Sequence, residues 1–335
     1  MKLIIKKYLL LLLLLFIICF IIYIYIEKFI IIQEPNDNEY GYIYPILRVL
    51  YNDIEITKQY EISDIVITAH NIPDNNIKPY IFINSEATLY YGKPRAHVDD
   101  NYKAAVEDQN CVACFITRDE KIFNNDKIFY LPIFLNRGNN IFESSPFKRD
   151  YINNERNLLA AYIGTHSPPH RDEFFKILKS KDATVDGLGA ANNTKHIVLP
   201  DRKNWWDLPK IYKDYKFGFA MENTYEDGYI TEKIMNVYIG GAIPIYWGTS
   251  KIKEIFNPDS FIYINDYSSF EECANDIIGI GNDPIRLKKM QTAPIFLENT
   301  PYSSYYDTPP PEWVINIAKK IKKNIKKVKL SNNFA

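Results

Sequence analysis

Glu222, Asn223, Glu232 and Lys233 crowd between two apolar, strand-like runs in FGFAMENTYEDGYITEKIMNVYIGGAIPIYWG, Phe217 to Gly248. Those residue types suit a nucleotide. A helix N-terminus offers free N–H groups and partial positive charge to a phosphate, a lysine adds a full charge, and a carboxylate accepts two ribose hydroxyls. A plainer reading stands beside it. Acids in the first turn of a helix ordinarily compensate its dipole, and Glu232 with Lys233 makes a solvated pair. Spacing alone leaves both open.

The elements that position these residues follow from the pattern. Lys216–Met221 reads as a strand, Glu222–Tyr229 as a loop containing Asp227-Gly228, and Thr231 as the N-cap of a helix reaching about Ile239. Gly240 and Gly241 end that helix, Ala242–Tyr246 forms the next strand and Trp247-Gly248 closes it. The four polar residues therefore gather where a strand's carboxyl end meets a helix's amino end, the place where open α/β sheets bind ligands.

The same rhythm organises the whole body. In residues 42–135, short apolar runs (YIYPILRVLY, SDIVITA, PYIFIN, CVACFIT, KIFYLPIFL) alternate with polar breaks, predicting strands of an open sheet. NRGNNIFESSPFKRDYINNERN, 136–157, is turn-rich and reads as the connection between domains. LLAAYIG at 158–164 then opens a second half, followed by a proline-started helix at PHRDEFFKILKS and further apolar strands at Ala242–Trp247 and Ser260–Asn265. Strands alternating with helices predict parallel sheets covered on both faces. The expected organisation is an anchor at 1–32, a stem at 33–41, domains at 42–150 and 151–311, and a basic tail at 312–335.

Charge narrows the class. Of 40 bases and 41 acids, the first 32 residues take four and one and residues 312–335 take seven and one, leaving 29 against 39 in the body. An acidic body argues against nucleic acid as partner. Tyr8–Ile26 is an unbroken apolar and aromatic run, followed after Glu27 and Lys28 by Phe29–Ile32, which has the length of a bilayer span. No Ala, Gly, Ser or Thr precedes Gly41, so the small-residue site of a cleaved signal peptide is missing and an uncleaved anchor is expected. Lys2, Lys6 and Lys7 before the span predict a single-pass type II protein with a cytoplasmic N-terminus. In EWVINIAKKIKKNIKKVKL, apolar Val314, Ile317, Ala318, Ile321, Ile325 and Val328 lie at helical spacing with lysines opposite. That predicts a basic helix on a membrane surface, with a helix packed on its own domain as the plainer reading.

Metal and redox chemistry find little support. Cys111 and Cys114 stand three apart on a predicted strand, pointing to opposite faces, and read as buried thiols. His166 and His170 are separated by Pro168 and Pro169, which exclude an ordinary helical metal pair. No D-x-D occurs, so metal-independent chemistry is expected.

FAMENTYEDGYITEKIMNVYIGGAIPIYWG, continuing into FNPDSFIYINDY, resembles the signature of the α1,3/4-fucosyltransferase family: F-x-x-E-N, a short loop, Y-[IV]-T-E-K and G-x-[IV]-P-[IV]-Y-x-G. Weaker likeness runs from about Tyr42 to Tyr306. The resemblance implies a GT-B-like α/β fold of two Rossmann-like domains facing a cleft, preceded here by the transmembrane helix. The C-terminal domain would hold GDP-fucose as co-substrate, with no cofactor and no metal. Carried over by motif position, Asn223, Glu232 and Lys233 would bind the donor, Glu232 at the ribose and Lys233 at the diphosphate, with Tyr246 as a neighbour of the nucleotide. Glu86 in IFINSEAT matches the family's general base, and it faces the cleft if its strand ends near Asn84. The expected reaction is inverting transfer of L-fucose to a hydroxyl of an N-acetylglucosamine-containing glycan, as an alpha-1,3-fucosyltransferase with its catalytic body in the lumen of a Golgi-type membrane.

One departure stands out. Where the family places a phosphate-binding arginine, this chain has Asn192 in DGLGAANNTKH, and an amide cannot replace that charge. Lys195 is the first substitute to consider, with Arg202 and Arg171 behind it. The sequon Asn192-Asn193-Thr194 reads as unmodified, since a glycan there would obstruct the donor pocket. Two alternatives stay open: a GT-B enzyme using another nucleotide sugar, and a catalytically silent, membrane-tethered glycan-binding protein.

Overall fold

The structure is a computed structural model that describes residues 13–17, 29–33, 41–51, 53–69, 72, 77–90, 93–94, 96–118, 125–138, 147, 149, 155–195 and 207–332. Its N-terminal sheet has six parallel strands: β1 (Phe29–Gln33), β2 (Asp53–Thr57), β3 (Ile65–Ala69), β4 (Tyr80–Asn84), β7 (Cys111–Ile116) and β8 (Ile128–Tyr130), ordered β2-β1-β3-β4-β7-β8. A two-stranded antiparallel pair, β5 (Leu89–Tyr90) and β6 (Lys93–Pro94), follows β4. The C-terminal sheet has five parallel strands, β9 (Leu158–Tyr162), β10 (Val185–Gly187), β11 (Tyr215–Met221), β12 (Ile243–Trp247) and β13 (Ile262–Tyr263), ordered β10-β9-β11-β12-β13. In each sheet the first strand lies between the second and the third. The winding direction reverses beside it, and a crevice opens there at the carboxyl ends.

Residues 29–32, expected to finish a membrane span, instead form an inner strand. Phe29 pairs with Asp53 on one side, Ile32 with Ile65 on the other, and Ile32 is fully buried. A parallel strand covered on both faces is an uninterrupted apolar run, so its composition imitates that of a span. Among the described residues no helix is long and apolar enough to cross a membrane. Of the expected span Tyr8–Ile26, only the helical residues 13–17 (α1) are described, and the rest lies outside the described residues. The expectation of a transmembrane anchor is corrected accordingly, and with it go the type II topology, the Golgi-type membrane and the membrane as partner.

The basic tail is corrected too. Glu312–Asn332 forms α10, and Val314, Ala318, Ile321, Ile325 and Val328 are buried against the N-terminal domain. They share an apolar cluster with Ile46 and Leu47 of α2 (Tyr44–Leu50) and with Val112 and Phe115 of β7. The Asn324 amide donates to the Val112 carbonyl at 3.0 Å. The apolar stripe is thus occupied by protein rather than by lipid. α2 itself falls on YIYPILRVLY, expected as a strand: Pro45 takes an early helical position where its missing N–H costs nothing, and Tyr44, Ile46 and Leu47 turn inward. The opposite face of the sheet carries α3 (Ala96–Glu107).

A register shift where β4 meets β7, between Tyr80 and Ile81, changes the cysteine argument. It brings Cys111 and Cys114 into one packing cluster with Tyr80 and Phe82, whereas strict alternation would separate them. Both are free, buried thiols, and burial pushes the Cys111 thiol up to about 12.

In the C-terminal domain, alternation along β11 sorts the two faces. Phe217, Phe219 and Met221 pack with Phe174 and Leu178 of α4 (Pro169–Lys181) and Ile277 of α8 (Phe270–Asn282). Ala220 turns to the other face, with Met235 and Val237 of α6 (Lys233–Ile239). Gly218 sits where helix and strand approach most closely: a Cβ there would stand 2.7 Å from the Tyr212 ring and 2.8 Å from Val237 Cγ1. Buried Arg156, in the expected linker, ties the base of this domain together. It donates to the carbonyls of Tyr212, Tyr215 and Gly240 at 2.7, 2.5 and 3.0 Å.

Candidate active site

β11 ends at Met221, and the three residues Met221–Asn223 are gripped by the first turn of α4. Arg171, itself buried, donates through Nη2 to the Met221 carbonyl and, at 2.8 Å, to Asn223 Oδ1. His170 Nε2 donates to the Glu222 carbonyl at 2.9 Å. The His170 ring stacks on Trp247 at the end of β12, with centroids 3.9 Å apart, and burial lowers its pKa. Two strand ends and a helix start are thereby joined.

Glu222 is completely buried. Its carboxylate accepts from Thr231 N at 2.8 Å, from Thr231 Oγ1 at 2.9 Å and from Lys233 Nζ at 3.2 Å. Burial raises its pKa, against the pull of Lys233 and the Thr231 bonds. A carboxylate satisfied this way functions as a bracket for its neighbours. Lys233 Nζ also donates to Thr231 Oγ1 at 2.8 Å and lies 3.8 Å from Glu232 Oε1. The helix starts at Lys233 with Glu232 in the N-cap place, one residue later than the Thr231 cap implies. Thr231 instead spends its hydroxyl on Glu222. Asn223, Glu232 and Lys233 are only partly buried, so each keeps a face toward solvent. A Cβ on Gly248, just past β12, would stand 3.1 Å from Glu222 Cγ, so a bare backbone is needed beside this bracket.

Tyr246 departs from its expected place. It is fully buried in the interior of β12, with its hydroxyl directed to the Tyr229 carbonyl at 3.5 Å, beneath the site rather than on its surface. Lys195 lies beyond β10, half exposed, 3.4 Å from the buried Asp186 carboxylate, so part of its charge is already spent. Asn192 takes a left-handed backbone with φ 52 and donates through Nδ2 to Asp172 Oδ1 at 2.6 Å. The same amide is the one a glycan would need, and it is engaged. Arg202 lies outside the described residues. Of the three substitutes considered for the expected arginine, Arg171 is the one bonded to a candidate donor residue, Asn223.

From the other domain, β4 ends at Asn84 and Glu86 follows two residues later, partly buried, its N–H directed to Asn84 Oδ1 at 3.4 Å. The completely buried Tyr229 phenol reports on what surrounds it. Its pKa is pushed well up by burial first, then by the negative charges of Glu222, Glu86 and Glu232, with Arg171 opposing. Carboxylates of both domains and one guanidinium thus act on a single phenol. Among the described residues no group of three or more His, Cys, Asp or Glu is arranged to hold a metal ion. The pattern missed the contacts of His170 and Trp247 and ranked Arg171 behind Lys195. The proline pair before His170 was a legible helix start, but the reach of that turn to β11 depends on which strands are neighbours.

Two parallel sheets wound in the same order, with a cationic and carboxylate cluster at the crevice of the second, define a GT-B-like class of protein. Residues 152–290 match the model of glycosyltransferase family 10 (fucosyltransferase), C-terminal part. Alpha-(1,3)-fucosyltransferase FucT of Helicobacter pylori is 32% identical over 136 residues, covering 40% of this chain and 25% of that protein. A putative fucosyltransferase of Acanthamoeba polyphaga mimivirus is 32% identical over 154 residues, 44% of this chain and 25% of that protein. The matches therefore span about a quarter of either relative. A crystal structure of an alpha1,3-fucosyltransferase with GDP-fucose aligns with a TM-score of 0.62 over 89% of this chain and 90% of that one, at 20% identity, a likeness of fold.

Proposed function

We propose that the protein is an inverting, metal-independent fucosyltransferase that moves L-fucose from GDP-fucose to a hydroxyl of an N-acetylglucosamine-containing glycan, as an alpha-1,3-fucosyltransferase. The observation that carries this reading is the opposition of two chemistries at the sheet ends. Lys233, Glu232 and Asn223 cluster beyond β11, while Glu86 lies beyond β4, and the charges of Glu86 and Glu232 both act on the Tyr229 phenol. On this reading the Glu86 carboxylate takes the acceptor hydroxyl's proton as its oxygen attacks the anomeric carbon. The bond to the diphosphate breaks on the far side, its electron pair passing to the phosphate oxygen, where Lys233 stabilises the charge that develops. Asn223 and Glu232 hold the nucleotide, Glu232 at the ribose. Lys195, beside Asp186, adds positive charge at the loop where Asn192 stands.

Calorimetry on the full chain with GDP-fucose, GDP-mannose, UDP-glucose and CMP-sialic acid, with and without a chelator, tests the donor. Selective and chelator-insensitive binding of GDP-fucose, weakened in Lys195→Ala, is expected. Transfer to an N-acetyllactosamine oligosaccharide tests the chemistry. Glu86→Gln should bind GDP-fucose as the native chain does yet transfer at least about a hundredfold more slowly, the scale of a lost general base. Unchanged turnover in that variant would remove Glu86 from the role, and selective binding of a different donor would overturn the fucosyl reading.

A further inference from the structure

The loop that carries the donor cluster also reaches across to the other domain. Glu226, at its tip, accepts two hydrogen bonds from one residue there: Thr88 N donates to Oε2 at 2.8 Å, and Thr88 Oγ1 donates to Oε1 at 2.9 Å. Arg118, buried at the end of β7, brings Nε to 3.8 Å from the same Oε1. Two residues further along the loop, the Gly228 carbonyl accepts from Tyr130 Oη of β8 at 2.8 Å. From its own side the loop is braced by Thr249, whose hydroxyl donates to Asp227 Oδ1 at 3.0 Å and accepts from Gly228 N at 3.2 Å. The tip is fixed to both domains.

Thr88 stands two residues after Glu86. The span between them is held at its start, where Glu86 N meets Asn84 Oδ1, at its middle by the buried Ala87, and at its end by Glu226. A carboxylate carried on such a span goes where its ends are fixed. From this we infer that Glu226 is a positioning residue: through its two-point grip on Thr88 it sets the Glu86 carboxylate opposite the donor cluster, so that one loop places both the donor and the base. The inference rests on the reading of Glu86 as general base. It adds a residue that acts through Glu86 and that the donor motif does not require, since Glu226 lies between Asn223 and Thr231 on the face turned toward the other domain.

A neutral amide at 226 keeps the size but offers one acceptor oxygen where the carboxylate offers two, and it removes the charge facing Arg118. Thr88→Val removes the hydroxyl donor from the other end of the same contact. Both variants, and their combination, are to be measured in the full chain for GDP affinity by calorimetry, for melting temperature, and for kcat and KM with GDP-fucose and an N-acetyllactosamine oligosaccharide. Glu226→Gln should lower kcat about 10- to 100-fold, the cost of a reacting group displaced by an ångström or less, while GDP affinity moves by less than about threefold. Thr88→Val should lower kcat by a smaller factor, and the double variant should be no slower than Glu226→Gln alone, because both act through one contact. Thr88→Ser, which retains both donors, should recover turnover to within about twofold of the native chain.

A native chain that transfers no fucose overturns the underlying reading, and this inference with it. A native chain that transfers, beside folded Glu226→Gln and Thr88→Val variants with native kcat, overturns this inference alone. So does a loss of GDP affinity that tracks the loss of turnover, because Glu226 would then serve the donor. If Glu226→Gln does not fold, Thr88→Val and Thr88→Ser decide the matter from the other domain.

Discussion

At the scale of single residues, the most constrained group in the site is one that need not touch substrate. Glu222 is completely buried, and its bonds run to Thr231 and Lys233. Burying a carboxylate is costly, and the raised pKa records that cost. What offsets it is the bracket: Thr231 and Lys233 are fixed at the amino end of α6 by a charge that cannot move. Glu222→Ala removes the bracket, leaves the Lys233 ammonium without its principal counter-charge and strands the Thr231 amide. Lys233 is partly solvated and keeps Glu232 beside it, so the main loss is the stranded buried donor, about 1–3 kcal/mol. We therefore expect a markedly lower urea midpoint with an unchanged slope, together with weakened GDP-fucose affinity in the protein that remains folded. A midpoint within error of the native chain would mean that solvent satisfies Lys233 and that Glu222 is dispensable.

At the scale of elements, α10 is the clearest case of a pattern read correctly and a partner read wrongly. Its stripe at Val314, Ala318, Ile321, Ile325 and Val328 was legible because helical spacing is a local property. What covers the stripe is α2 and β7, more than 180 residues earlier in the chain, and no local signal reports that. The same reason explains β1 and α2. Phe29–Gln33 has the composition of a membrane segment and of a doubly covered strand alike, and only its pairing with β2 and β3 separates them. YIYPILRVLY has apolar residues for either structure, and Pro45 near its start was the cue for a helix. By contrast, the gathering of Glu222, Asn223, Glu232 and Lys233 at one strand end was legible in advance because strand, loop, helix and strand follow one another within Phe217–Gly248. The packing of α10 yields its own prediction. Ile321→Ala, at a position with no exposure, should cost about 2–5 kcal/mol, whereas substituting an outward lysine such as Lys323 by Gln should change stability by less than about 0.5 kcal/mol. Thermal melts of the two variants against the native chain read this difference directly, and equal melts would show that the helix is not held by that face.

At the scale of the whole molecule, one face of each sheet packs into a common interior, while the opposite faces keep clusters of their own. One apolar cluster runs from Ile46, Val112 and Phe134 of the first domain to Met235, Tyr238 and Phe256 of the second. Phe134 stands edge-on to Phe256, with ring centroids 5.1 Å apart, and lies beside Tyr302 as well. The chain then crosses back. Tyr305, fully buried and stacked on Trp313, donates its hydroxyl to the Tyr42 carbonyl, and Tyr306 donates to the Leu135 carbonyl at 2.6 Å, just before α10 settles on the N-terminal sheet. A shared core fixes the relation between the domains, and the proposed site, with Glu86 on one and Lys233 on the other, depends on that relation. Tyr305→Phe keeps the ring and removes a single hydroxyl, leaving the buried Tyr42 carbonyl without that donor. The loss of one such hydrogen bond costs about 0.5–1.5 kcal/mol. Because the lost bond joins the two domains, the expected outcome is a lower melting temperature in one undivided transition, with amide exchange accelerated in β11 as well as in β1 and β7. Faster exchange confined to the N-terminal strands, or two separated transitions, would show that the domains unfold independently. The fixed relation between Glu86 and Lys233 would then have to come from the loop contacts of Glu226 and Gly228 rather than from the common core.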